Sequence, residues 1–205
     1  NSASVTAAGI INPITGRRMV KTWLIEDIMP FAHKAYAEIG ADLQITAIEQ
    51  KNIVDFFPTP QMRHAFLDRY ATDQQFLSLP KNENDWREYF TYDFGYGMID
   101  PCFLVNLPQL LAAYRAVLKS RGDLLEQKFD HQLLIISPEG IEYDSISAKA
   151  IIFCDGVSSF SNPWFQNLPF APNKGEMLLI NAPGIPSTHI FKRGINLVPW
   201  QENIS

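Results

Sequence analysis

The run Ile151-Ile-Phe-Cys-Asp-Gly156 places a carboxylate and a glycine directly after four apolar residues. An apolar run of that kind reads as a strand buried on both faces, and in open α/β sheets ligands bind beyond the carboxyl ends of such strands. Gly156 there offers a backbone that a cofactor can approach closely, although a sharp turn requiring glycine for its own geometry also explains it. A second candidate lies near the start of the chain. Ser2-Ala-Ser4 and Ala7-Ala-Gly9-Ile10 carry side chains small enough for backbone N–H groups to reach an anionic or aromatic ligand, or else they form a frayed terminus with no partner. Arg17 and Arg18, following Asn12-Pro-Ile-Thr-Gly16, could neutralise a phosphate or an anionic substrate, or remain a solvated pair.

Other chemistries find little support. The chain contains no His-Glu-x-x-His, no Cys-x-x-Cys, no Gly-x-Ser-x-Gly and no Gly-x-x-x-x-Gly-Lys. His33, His64, His131 and His189 are isolated and lack metal-ligand spacing, so no metal is expected. Cys154, inside an apolar strand, is expected to be a packed core thiol rather than a nucleophile. Gly95-Tyr-Gly97 lacks a third glycine and a following helix and is read as a feature of a sheet. No residue is nominated as a catalytic acid or base.

The elements that must position these residues follow from periodicity. Leu24, Ile28, Phe31, Ala35 and Ile39 recur at helical spacing, with Gly40 expected just past the helix end and Pro30 expected to kink it. Strands are expected over 43–49 and 52–57, and Thr59-Pro60 opens a second helix bearing Met62, Phe66 and Tyr70. Phe90, Tyr92, Phe94, Tyr96 and Met98 alternate with smaller or polar residues, as in a strand with an aromatic face. Asn106 can cap a third helix with the stripe Leu110, Leu111, Tyr114, Val117 and Leu118 against a sheet, ended by Gly122. Strands over 124–129, 133–136, 141–143, 150–154, 176–181 and 189–200 complete the reading. The 133–136 and 141–143 pair turns at Pro138-Glu-Gly140, and the last turns near Arg193-Gly194.

With 205 residues, 46% hydrophobic and 19% charged, the composition is that of a globular chain. A net charge of −5 gives no footprint for nucleic acid. No apolar run approaches the ~20 residues of a membrane helix, so no membrane span is expected. Two cysteines do not make a disulfide framework, and a reducing, cytoplasmic setting is expected.

The order from Gly122 to Glu176, a helix end, a strand, a hairpin, an apolar strand ending in Asp155-Gly156 and then Lys174-Gly175-Glu176, resembles the middle of the glycine oxidase and D-amino-acid oxidase family of FAD-dependent oxidoreductases. The segment Ser2–Ile10 is similar to the family's small-residue stretch beneath the flavin. By that resemblance the fold is α/β with α+β character. Residues 1–40 and 101–172 would form part of a doubly wound FAD-binding domain, and 41–100 and 173–205 part of a mixed-sheet substrate domain. FAD would be contacted by Ser4, Ala7, Ala8, Gly9 and Ile10, by Phe129 on the adenine side, and by Asp155 and Gly156. The implied reaction oxidises the C–N bond of a small-molecule amine, with hydride passing to the flavin. The pattern departs at Cys154-Asp155, where small residues are usual, and at Val198-Pro199, which Trp200 follows instead of a substrate-clamping Arg. The family's Gly-x-Gly-x-x-Gly is not among these residues, so the chain is read as an internal piece that would neither hold FAD tightly nor turn over amines. A contrasting reading is a non-catalytic α/β binding module that presents the aromatic sheet from Phe90 to Tyr96.

Overall fold

The computed structural model describes residues 3–200. It has the mixed α and β content, in several sheets, that the sequence implies. The chain divides into two compact units, one of residues 1–117 and 179–205 and the other Leu118–Leu178. These boundaries differ from the division read from sequence, which separates 1–40 from 41–100.

The first unit contains α1 (Ala3–Thr6), β1 (Ile10–Ile11), β2 (Ile14–Thr15), β3 (Val20–Lys21), α2 (Ile25–Leu43), β4 (Ile48–Gln50) and β5 (Ile53–Phe56). After these come α3 (Pro60–Thr72), β6 (Leu77–Ser78), β7 (Tyr96–Ile99), β8 (Phe103–Val105) and α4 (Leu107–Arg121), whose end passes into the second unit. The second unit adds β9 (Leu134–Ser137), β10 (Gly140–Tyr143) and β11 (Ile146–Ala148), and β12 (Ile190–Arg193) and β13 (Ile195–Leu197) return to the first.

The main sheet has the order β13-β12-β5-β7-β6, with β12 parallel to β5 and the other pairs antiparallel. Central β5 is buried along its whole length, and period two assigns its residues to opposite faces. Ile53, Ile99, Ile190 and Leu77 join one cluster with Phe66 of α3. Val54, Phe56 and Phe191 join the other with Tyr92 and Tyr96. On the α3 side Asp55 is 2% exposed and accepts a 2.7 Å bond from Lys192 Nζ on the neighbouring strand. Burial pushes the Asp55 carboxyl upward, and Lys192 opposes the shift. A second sheet, β1-β8-β4, backs α2 and the first turn of α4 through Ala47, Val105 and Leu110.

Several local signals act as expected. Thr59 Oγ1 accepts from Met62 N at 3.3 Å ahead of Pro60. Asn106 Oδ1 accepts from Gln109 N at 3.2 Å, and Gly122 ends α4 at φ +75°. The chain reverses at Gly194, which also has positive φ.

Other expectations are corrected. Gly40 lies inside α2, which ends only at Gln44 in the left-handed region. A Cβ at position 40 would lie 2.8 Å from the Ile45 carbonyl oxygen, so this glycine serves the return of the chain towards β4. The 90–98 alternation makes a ladder only over β7, because Gly95 at φ +74° turns the chain just before it. Phe94 accordingly packs in the opposite cluster from Tyr92. Tyr92 and Tyr96 are buried and donate to the Glu83 and Asn82 carbonyls at 2.6 and 3.0 Å, fastening the loop over the sheet. These two rings of the aromatic run are core residues. The stretches 124–129, 150–154 and 176–181 join no ladder, with Ile152 85% exposed and Leu178 82% exposed. In α4 only Leu110 of the expected stripe is buried, and Leu111 and Tyr114 are exposed.

Two measurements check this packing. A Cβ on Gly97 of β7 would collide with the Phe66 ring. Gly97→Ala is therefore expected to destabilise the fold by about 1–3 kcal/mol, and by less in a Phe66→Leu background, as read by urea unfolding of the double-mutant cycle. Because the Asp55 pKa in the folded state is raised above 3.8, the native state holds the proton more tightly than the unfolded chain in the window just above that value. Stability contributed by this group therefore falls as pH rises through the window, and Asp55→Asn should flatten that part of a pH series of unfolding midpoints. An unchanged slope would show that the buried carboxyl does not set it.

Candidate functional site

In the second unit β9, β10 and β11 form an antiparallel meander. Alternation puts Ile141 and Tyr143 on one face of β10, and register places Ala148, Ile146 and Leu134 beside them. Those five side chains line an open cavity of about 290 Å³ together with Leu125, Gln127, Phe129, Ala150 and Ile151. Leu125, Gln127 and Phe129 recur every second residue and line one cavity, although the expected strand over 124–129 joins no ladder. The lining is apolar except for Gln127.

Phe129 is held by its neighbours. Asp130 N donates to Tyr143 Oη at 3.0 Å, and Asp130 Oδ1 accepts from Gln132 N to cap the 3-10 helix His131–Leu133. This clamps the Phe129 ring parallel to Tyr143, with centroids 4.5 Å apart and planes 10° apart. Phe153 meets Phe129 edge-on at 5.9 Å and stacks on Trp164 at 5.5 Å. His131 sits within the same aromatic group, and its Nδ1 is buried without a hydrogen-bond partner. Sequence reasoning named Phe129 and missed Tyr143, Ile141 and Ile146. The i, i+2 spacing of Ile141 and Tyr143 in the expected hairpin was the signal that could have found two of them.

Asp155 and Gly156 belong to the same unit but do not line the cavity. The Asp155 carboxylate is held by the segment that follows it, accepting from Ser159 Oγ and, at 3.0 Å, from Asn162 Nδ2. The Ser159 bond first and the Asn162 bond second hold its carboxyl below the usual range. Gly156 opens a 3-10 helix at φ +56° with nothing within 4 Å of where a Cβ would stand, so conformation accounts for this glycine. The Lys174-Gly175-Glu176 triplet opens no strand, and Lys174 pairs with Glu176 at 2.6 Å on the surface. The expected buried strand before Asp155 is instead partly exposed, and Cys154 is exposed rather than packed.

The N-terminal candidates lie in the first unit. Ser4 belongs to the short helix α1 and is exposed, as is Ala7. Ile10 pairs with Leu104 of β8. Gly9 accepts from Val105 N at 2.9 Å, and a Cβ on it would collide with the Val105 carbonyl oxygen. Glycine at position 9 is thus required by the chain's own second sheet. The cleft beside Ala8, lined also by Glu49, Asn106 and Trp200, has a volume of about 30 Å³. That is room for about two water molecules, and a flavin ring does not fit there. Of the sequence candidates, Phe129 lines the larger cavity and Ala8 lines this small cleft.

Among the described residues no group of three or more His, Cys, Asp or Glu side chains could hold a metal ion, and no helix is long and apolar enough to cross a membrane. The two thiols are in opposite environments. Burial pushes Cys102 up to about 12, and its Sγ lies 3.2 Å from the Ile99 carbonyl oxygen, whereas Cys154 is exposed. Titration of the native chain with a thiol reagent near neutral pH is expected to modify Cys154 alone, with Cys102 reacting only after unfolding. Equal rates would refute that assignment. In comparisons with known proteins, no family model matches the chain and no solved structure matches it.

Proposed function

We propose that the chain is part of a cytoplasmic FAD-dependent oxidoreductase of the D-amino-acid oxidase type, acting on a C–N bond of a small amine, whose second unit takes the adenine end of the cofactor. The observation that supports this reading is the 290 Å³ cavity lined by Phe129, the residue that the resemblance nominates for the adenine side. Small-molecule sites are largely apolar concavities with a few polar groups that fix orientation. Tyr143 and Phe129 offer ring surfaces, the aliphatic side chains of β9 to β11 offer apolar contact, and Gln127 offers an amide able both to donate to and accept from a base edge. When bound, FAD would supply the hydride acceptor; the residues described here would bind and orient one end of it. Asp155, Gly9 and Ile10 lend no support, since each is engaged by its own surroundings. The binding-module alternative has no support from the aromatic sheet, whose Tyr92 and Tyr96 are core residues.

Titrating the 205-residue chain with ADP, FAD and FMN tests the proposal. ADP and FAD are expected to bind with similar affinity and FMN not at all, because FMN has no adenine. Phe129→Ala should weaken ADP binding about tenfold, the scale of one lost base stacking contact, without loss of the folded far-UV spectrum. FMN binding as tightly as ADP, or a Phe129→Ala variant that binds ADP unchanged, would overturn the assignment.

A further inference from the structure

Helix α2 carries two apolar lines, and the core uses one. Ile25 and Met29 are buried, and Tyr36 and Ile39 pack beside them on the clusters of the first unit. Leu24, Ile28, Phe31 and Ala35 form the other line, with Leu24 46%, Ile28 43% and Phe31 72% exposed. A surface helix needs a single apolar face to hold it to its own domain, so a second one marks an interaction surface. Leu24 is the N-cap of α2 in the left-handed region, so within the helix the line is Ile28, Phe31 and Ala35, spaced three and four residues as in the seam of a coiled coil.

The charges beside the seam specify the occupant. Asp27 and Lys34 are one heptad apart on the same flank of the helix. Lys34 reaches only Glu38 of its own helix, at 3.8 Å, and both of those side chains are largely exposed. We propose that α2 is the contact between two copies of this chain, packed antiparallel about a two-fold axis that passes between Ile28 and Phe31. In that register Ile28 of one copy meets Phe31 of the other, and Leu24 meets the smaller Ala35, each layer occurring twice. The same symmetry brings Asp27 of each copy opposite Lys34 of the other. In a parallel pair the flank carrying Asp27 and Lys34 would face the opposite, uncharged flank of the other copy at Ala32, so only the antiparallel arrangement uses these charges.

Sedimentation equilibrium of the whole chain over a dilution series is expected to show a reversible monomer–dimer equilibrium. Phe31→Glu, at an exposed position that the fold does not need, should leave a folded monomer. Lys34→Asp should raise the dimer dissociation constant roughly tenfold by replacing two exposed attractions with two repulsions. Asp27→Lys combined with Lys34→Asp should restore most of the loss, which no parallel arrangement and no other surface would produce. A monomer at every concentration, a dimer indifferent to Phe31→Glu, or a double exchange that fails to restore association would each overturn the proposal.

Discussion

The first unit depends on one parallel pairing, that of β12 with β5. The two strands are separated by more than a hundred residues, yet they lie side by side at the centre of the main sheet. Every residue of β5 is buried, so the strand has no solvent face and needs cover on both sides. The α3 helix and Phe66 supply one cover, and the aromatic loop fastened by Tyr92 and Tyr96 supplies the other. The buried Asp55 bears on the same pairing. A carboxylate withdrawn from water needs a partner held in place, and Lys192 occupies that place only when β12 is in register. The ion pair thus marks the correct alignment of a strand whose other contacts are apolar.

What was legible in the sequence was local. Thr59-Pro60, Asn106, Gly122 and Gly194 act through the few residues around them, and each does what its chemistry implies. Alternation was read less well because it reports the direction of side chains and not the pairing of backbones. Leu125, Gln127 and Phe129 alternate towards a cavity, and the aromatic run from Phe90 alternates only until Gly95 turns it. Glycine was the least legible residue, since turning, close approach and ligand access use the same letter. Gly40 and Gly9 are small because another part of the chain comes close, and Gly156 because of its φ. None of these distinctions exists before the strands are placed.

Of the candidate site, Phe129, which the resemblance nominates for the adenine side, lines a cavity and is held there by partners that the sequence left unmarked. Its orientation comes from the bond between Asp130 N and Tyr143 Oη, which joins the run before the 3-10 helix to the end of β10. A ring fixed against another ring presents a flat, dry surface whose entropy of ordering is already lost in the folded state. Asp155 shows the opposite case. Its carboxylate looks available in the sequence and is consumed by Ser159 and Asn162 in the fold.

The return of β12 and β13 to the sheet of β5 makes residues 118–178 an insertion within the first unit. During synthesis from the N-terminus, β5 must wait until the whole insertion has been made before its parallel neighbour exists. The insertion closes through short-range hairpins and can form beforehand, whereas the main sheet closes a loop of more than a hundred residues. The order of assembly is thus written into the strand order: the inserted unit early, the central sheet last, with the β12 edge of β5 exposed in the interval.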